Sequence, residues 1–235
     1  MVRFRLWAAA MLAILLAAPL APVSAQEIRY SWMDFSFMAQ DIDRQGTLVP
    51  IAGQTVDVDG SDGSGVRFRG SFGTWKNLYL FIDYGSTDID VDAVVTNAGG
   101  MFPASDEFDF TAIRGGLGWK YPVFNKTDMF LELSYDSVDY DFGSFAGEDF
   151  DMDQKDVGGA IGVRTLFGDD FELRVQGRYT SVGDAELTLG VFDSDVLYGV
   201  GFAWQVMRGL SIVGDYEAGE AGSYSVGFRL DLSED

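Results

Sequence analysis

The 235-residue chain has no cysteine and no histidine. Without cysteine no disulfide can staple the fold, so an exported chain of this size must be held by other means. Without histidine the commonest general base at neutral pH is missing. Basic residues are scarce as well, 16 Lys and Arg against 37 Asp and Glu, for a net charge of −21. That excess of acid argues against nucleic acid and anionic surfaces as partners for the bulk of the molecule. Windows of helix-type composition are few. A single apolar run approaches the roughly 18 residues of a spanning helix, and it lies at the very start, so no transmembrane helix is expected after residue 25.

That first run reads as an export signal. Arg3 and Arg5 precede "LWAAAMLAILLAAPL" from Leu6, and "APVSA" ends in small residues at Ala25, the pattern of a secretory signal and its cleavage site. Pro19 and Pro22 interrupt the run, which disfavours a permanent anchor. Residues 1–25 are therefore expected to be a cleaved signal peptide and residues 26–235 the mature domain. Removing Arg3 and Arg5 leaves 14 basic residues against 37 acidic ones, a net of −23.

What is present is a β composition: 47% hydrophobic residues, 14% aromatic residues and 29 glycines, distributed with period 2. The chain ends "SYSVGFRLDLSED"; Tyr224, Val226, Phe228, Leu230 and Leu232 fall on one side of an extended strand, with Ser223, Ser225, Gly227, Arg229 and Asp231 on the other. The same alternation, bounded by turn residues, predicts ten strands near 28–40, 65–75, 77–88, 108–121, 128–141, 156–167, 171–182, 195–207, 210–217 and 222–232. A count of eight is the alternative, because "DAELTLGVFD" at 184–193 can read as a strand extension.

The connections alternate. "WKN", "GDD" and "MRG" are tight and "PVFNK" somewhat longer, whereas 41–64, 89–107, 142–155 and 183–194 are long and rich in Asp, Gly and Ser. Short turns on one side and long connections on the other, with an even strand count, are the pattern of a closed antiparallel transmembrane β-barrel. Aromatics give a second test. Strands leaving the short turns carry outward aliphatic rows that close on Tyr84, Tyr135, Tyr179 and Tyr216. Returning strands begin near Tyr198 or Tyr224 and reach Trp75, Trp119, Phe167 or Trp204 before their turns. Two aromatic levels separated by aliphatics are the girdles of a membrane barrel. A soluble sandwich would bury the same faces but gives no reason for tyrosine at one end.

The opposite rows carry both signs of charge: Arg67, Arg69, Asp83, Arg114, Glu132, Arg164, Glu172, Arg174, Arg178, Asp215 and Arg229, with Asp231. They read either as a pore lining or as a filled interior of ion pairs, and narrow barrels favour the filled one. Glu132 and Arg164 stand at similar heights on adjacent strands and are the expected pair. Beyond the tyrosines acids replace aliphatics, in "DIDVD" from Asp88, "VDYDF" from Val138, "FDMD" from Phe150 and "VDVDGSDG" from Val56, so the hairpins are expected to continue past the membrane as two-faced ribbons. Their carboxylates could hold Ca²⁺ or Mg²⁺ among lipid phosphates, although Asp57, Asp59 and Asp62 do not have EF-hand spacing. A solvated acidic surface is the simpler reading. No P-loop, dinucleotide or metal-cluster motif and no nucleic-acid signature is present, so no cofactor is expected.

The signal, the alternating strands, "GVRTLFGDDFELRVQGRY" from Gly162 across a tight turn and the final "YSVGFRLDL" together resemble the small outer-membrane β-barrel proteins of Gram-negative bacteria, the OmpA-transmembrane-domain and OmpX-like barrels. The resemblance covers the whole mature chain. It implies location in the outer membrane, contact with outer-membrane lipid and lipopolysaccharide, and insertion by the barrel-assembly machinery. That machinery reads a closing strand that usually ends in an aromatic residue; here Leu232 stands in that place. Related barrels that are enzymes (omptin proteases, lipid A acyltransferases and deacylases, a phospholipase) rely on histidine, so a non-enzymatic role follows. The function expected is a structural or surface-interaction barrel with a filled lumen; the alternative is a narrow porin-like channel for ions or small solutes.

Overall fold

The computed structural model describes residues 28–48, 55–75, 77–97, 100–145, 148–180, 195–219 and 222–232. The signal segment 1–25 and the connection 183–194 lie outside these residues. Ten strands follow in order: β1 (Trp32–Leu48), β2 (Thr55–Trp75), β3 (Leu78–Asn97), β4 (Gly100–Phe124), β5 (Thr127–Phe145), β6 (Glu148–Phe167), β7 (Phe171–Thr180), β8 (Asp195–Met207), β9 (Leu210–Ala218) and β10 (Gly222–Asp231). Each pairs antiparallel with its neighbours in sequence, and β1 pairs with β10, so the sheet closes into a barrel. The count is ten, not eight, and the sandwich alternative falls. Among the described residues there is no helix.

Local chemistry accounts for the tight end. Gly168 and Gly209 sit in their turns with φ of 64° and 76°, a left-handed conformation that a side chain disfavours. The turn expected to be longer is also tight, because Pro122–Phe124 still belongs to β4, with a register irregularity there, and β5 begins at Thr127.

Two expectations about strand limits change. The first strand begins at Trp32 rather than residue 28: Ile28–Ser31 is not strand but turns into the lower mouth of the barrel, where Ile28 and Tyr30 are buried against Tyr79, Phe81 and Leu166. The long connections are mostly strand, since β2–β3 pairing runs up to Thr55 opposite Thr96 and β3–β4 pairing up to Asn97 opposite Gly100. Most of 41–64, 89–107 and 142–155 is therefore ribbon, and pairing carries on even through Pro103, which stands opposite Val94. By contrast β7, β9 and β10, at 10, 9 and 10 residues, have about the length needed to cross a bilayer.

Alternation sorts the two faces. Leu78, Leu80, Ile82 and Tyr84 of β3 and Met129, Leu131, Leu133 and Tyr135 of β5 are exposed on the outside, Leu133 at 71%. Between them Tyr79, Phe81, Phe130 and Glu132 are buried inside. Gly118 makes room for one of these rings: a Cβ there would lie 2.1 Å from Tyr79 Cζ.

Candidate functional site

The candidate site is the lumen. Eleven of the twelve charged residues expected to face inward pair with one another or with Asp34, Asp136 and Glu217. Arg67 donates to both carboxylate oxygens of Asp83, at 2.8 and 2.5 Å. Arg69 grips Asp34 with two bonds of 3.0 Å and also donates to Asp215. Asp215 accepts from Arg174 as well, at 2.9 Å. Arg229 reaches Asp34 and Glu172, each at 3.3 Å. Arg178 donates to Glu217 at 2.5 Å and lies 3.8 Å from Asp136. Asp231, also expected inside, pairs with Arg29 at 3.2 Å.

Some of these contacts run along the wall between adjacent strands, as those of Asp34 do, and others reach past a neighbour, Arg69–Asp215 and Arg229–Glu172 over two intervening strands each. Asp34 of β1 is held from β2 and β10, Asp215 of β9 from β2 and β7, and Arg178 of β7 reaches toward β5 and β9. Seven arginines and seven carboxylates take part, in three clusters whose charges together sum to zero.

The expected Glu132–Arg164 pair does not form. Arg164 donates to Glu172 at 2.7 Å, while Glu132 accepts from the Tyr79 hydroxyl at 2.9 Å and lies 3.6 Å from Arg114. Register explains the change: Arg164 stands opposite Asp128, whereas Glu132 stands opposite Ala160, four residues higher on β6. Counting residues from each turn missed that offset.

Arg164 instead serves the N-terminal segment. Its guanidinium lies 4.4 Å above the Tyr30 ring and donates to the Arg29 carbonyl at 3.2 Å. Lys120 covers the same ring at 4.6 Å, and Ser71 donates to the Tyr30 carbonyl at 2.9 Å. Cation–π and hydrogen bonds together seat this segment as a stopper in the lower mouth. Sequence reading missed it because Ile28 and Tyr30 keep the period of a strand. The remaining space among the described residues includes cavities of about 20 and 40 Å³.

Outside, the aromatic levels stand where alternation puts them. Tyr84, Tyr135, Tyr179, Tyr198, Tyr216 and Tyr224 are exposed at the upper level, with Tyr216 directly opposite Tyr224. Trp75, Trp119 and Trp204 are exposed near the short turns, Phe167 is half-buried beside Phe171, and Phe171 stacks on Phe202. Phe72, Tyr121 and Phe124 add to that lower level. An exterior of this kind is stable only against lipid, so the closed register and the apolar belt make the chain an outer-membrane-type β-barrel.

Above the tyrosines the exposed acids face one another across strands: Asp62 is opposite Asp90, Asp88 opposite Asp109, and Asp139 opposite Asp153. Among the described residues no three carboxylates converge as a metal site; the side chains of Asp57 and Asp59 lie outside the description.

No family model and no curated protein matches the sequence. Among solved structures the chain is similar to the outer membrane protein OprG from Pseudomonas aeruginosa, at 9% identity over 90% of this chain and 100% of that one, with a TM-score of 0.45. It is similar to Neisserial surface protein A, NspA, at 11% identity over 86% and 96%, with a TM-score of 0.40. It is similar to the β-domain of the Bordetella autotransporter BrkA, at 12% identity over 85% and 98%, with a TM-score of 0.46. The barrel rests on its own closed register.

Proposed function

We propose that this protein is a non-conducting barrel of the outer membrane, exported through its signal peptide and inserted by the barrel-assembly machinery, that acts as a structural or surface-interaction element through its acidic ribbons. The observation that carries this reading is the charge-balanced set of buried ion pairs that fills the lumen, in which Arg69–Asp215 and Arg229–Glu172 reach over two intervening strands. Paired charges at this density leave an ion no unbalanced site to occupy and no continuous path, as in other narrow barrels filled by their own side chains. The N-terminal stopper adds a second closure below. No step of covalent chemistry is assigned to any residue.

The ribbons supply the surface. Opposed carboxylates repel, and lipopolysaccharide is itself anionic, so contact between the two would run through divalent cations held by oxygen ligands.

Planar-bilayer recording tests the closure. The wild-type protein should show little or no steady conductance. Arg164→Ala should raise it, because it frees both the stopper and a buried carboxylate that then hydrates. A large, stable wild-type conductance that sieves small solutes would replace this reading with that of a narrow channel.

A further inference from the structure

Four buried polar atoms in the lumen have no hydrogen-bond partner and belong to residues that line the same cavity, of about 20 Å³: Trp32 Nε1, Arg69 Nη1, Arg114 Nε and Glu132 Oε2. They come from four strands, β1, β2, β4 and β5. None is a loose end. The Arg229 guanidinium lies 4.0 Å over the Trp32 ring, Asp34 holds Arg69 with two hydrogen bonds, and Tyr79 donates to the other oxygen of Glu132. Tyr79, Phe81 and Phe130 wall the same space with rings. Buried polar groups left unpaired are costly and are seldom left so in native proteins.

The set consists of three donors and one acceptor. An anion bound there would meet the Glu132 carboxylate and a cation would meet Arg69 and Arg114, while the surrounding ion pairs already balance, so neither sign is called for. Water donates and accepts, and a space of this size accommodates one water or at most two. We propose that the cavity is a hydration site in which ordered water accepts from Trp32 and the two arginines and donates to Glu132. The water thereby ties Arg114 into the network; its two carboxylates, Asp83 and Glu132, stand at 3.7 and 3.6 Å, beyond hydrogen-bond length. This inference rests on the occluded-lumen reading, because a conducting lumen would exchange its water freely.

The test is water-selective nuclear Overhauser spectroscopy on the full mature chain in lipid nanodiscs, with the Trp32 indole signal assigned by its loss in Trp32→Phe. A cross-peak to water with the sign of a long-lived complex is expected, together with one compact density peak within hydrogen-bond distance of Trp32 Nε1 in high-resolution crystals. No cross-peak and no density in a barrel that does not conduct would overturn the hydration site alone. A short-lived cross-peak in a barrel that conducts would overturn the occluded reading along with it. An anomalous bromide peak in soaked crystals would overturn water in favour of an anion. The crystal measurements need no variant, so a failure of Trp32→Phe to fold leaves the proposal open to refutation.

Discussion

The barrel has a tall wall and a low one. Strands β1 to β6 are 17 to 25 residues long, while β7, β9 and β10 are 9 or 10 and β8 is 13. Both walls start from tight turns and carry the same alternation up to a tyrosine level, so within the bilayer they are equivalent. Above it they differ: β9 ends at Ala218, two residues past Tyr216, and β10 begins at Gly222, whereas β3 continues thirteen residues beyond Tyr84 to Asn97, about 40 Å along the strand. Lipid therefore sets the height of the β9–β10 hairpin, and the excess of the tall wall answers to something other than crossing the membrane. At Tyr84 the outward column changes from Leu78, Leu80 and Ile82 to Asp88 and Asp90, all of them exposed, which marks where lipid gives way to water.

The seam between the walls, where β1 meets β10, is the place to strain the comparison hardest. Asp34 is fully buried there and shared by Arg69 of the tall wall and Arg229 of the low one. Asp34→Ala should cost about 3–5 kcal/mol by leaving buried guanidinium charge uncompensated, read as a lower urea midpoint for unfolding from lipid bilayers. A loss below about 1 kcal/mol would mean that the two walls are held by backbone pairing alone.

Within the bilayer the walls should respond alike. Leu131→Arg on β5 and Val200→Arg on β8 replace side chains that are 52% and 41% exposed on the exterior, and each should cost about 2–4 kcal/mol at mid-depth. Heat-modifiable gel migration and the same unfolding assay report both. If the tall wall tolerated arginine and the low wall did not, the lipid boundary drawn here at Tyr84 would be misplaced.

The smallest effect should come from above that boundary. Asp88→Asn removes one of two exposed acids standing directly opposite, Asp88 and Asp109, and should stabilise by only a few tenths of a kcal/mol, about the scale of a cross-strand like-charge contact. That gain should shrink in high salt. A loss of stability would point to a bound cation that needs both carboxylates.

Much of this was legible along the chain. Strand number, the inside and outside faces and the two aromatic levels depend on a period of two and on glycine-bearing turns, and both are local properties. Residues such as Leu131 and Glu132 reveal their faces by parity alone. What misled was also local: Ile28 and Tyr30 alternate like a strand, and Glu132 and Arg164 count to similar heights.

The sequence by itself determined that the chain alternates, where it turns tightly and how far its apolar exterior extends, because each follows from neighbours a few residues apart. Only the tertiary structure decided who pairs with whom inside. Closing ten tilted strands staggers each against the next, so that Arg164 comes level with Asp128 rather than Glu132 and Asp34 meets Arg229 from the far end of the chain. It also turned Ile28–Ser31 inward, since the lower mouth offered Tyr79, Arg164 and Lys120 as partners that exist together only once the barrel has closed.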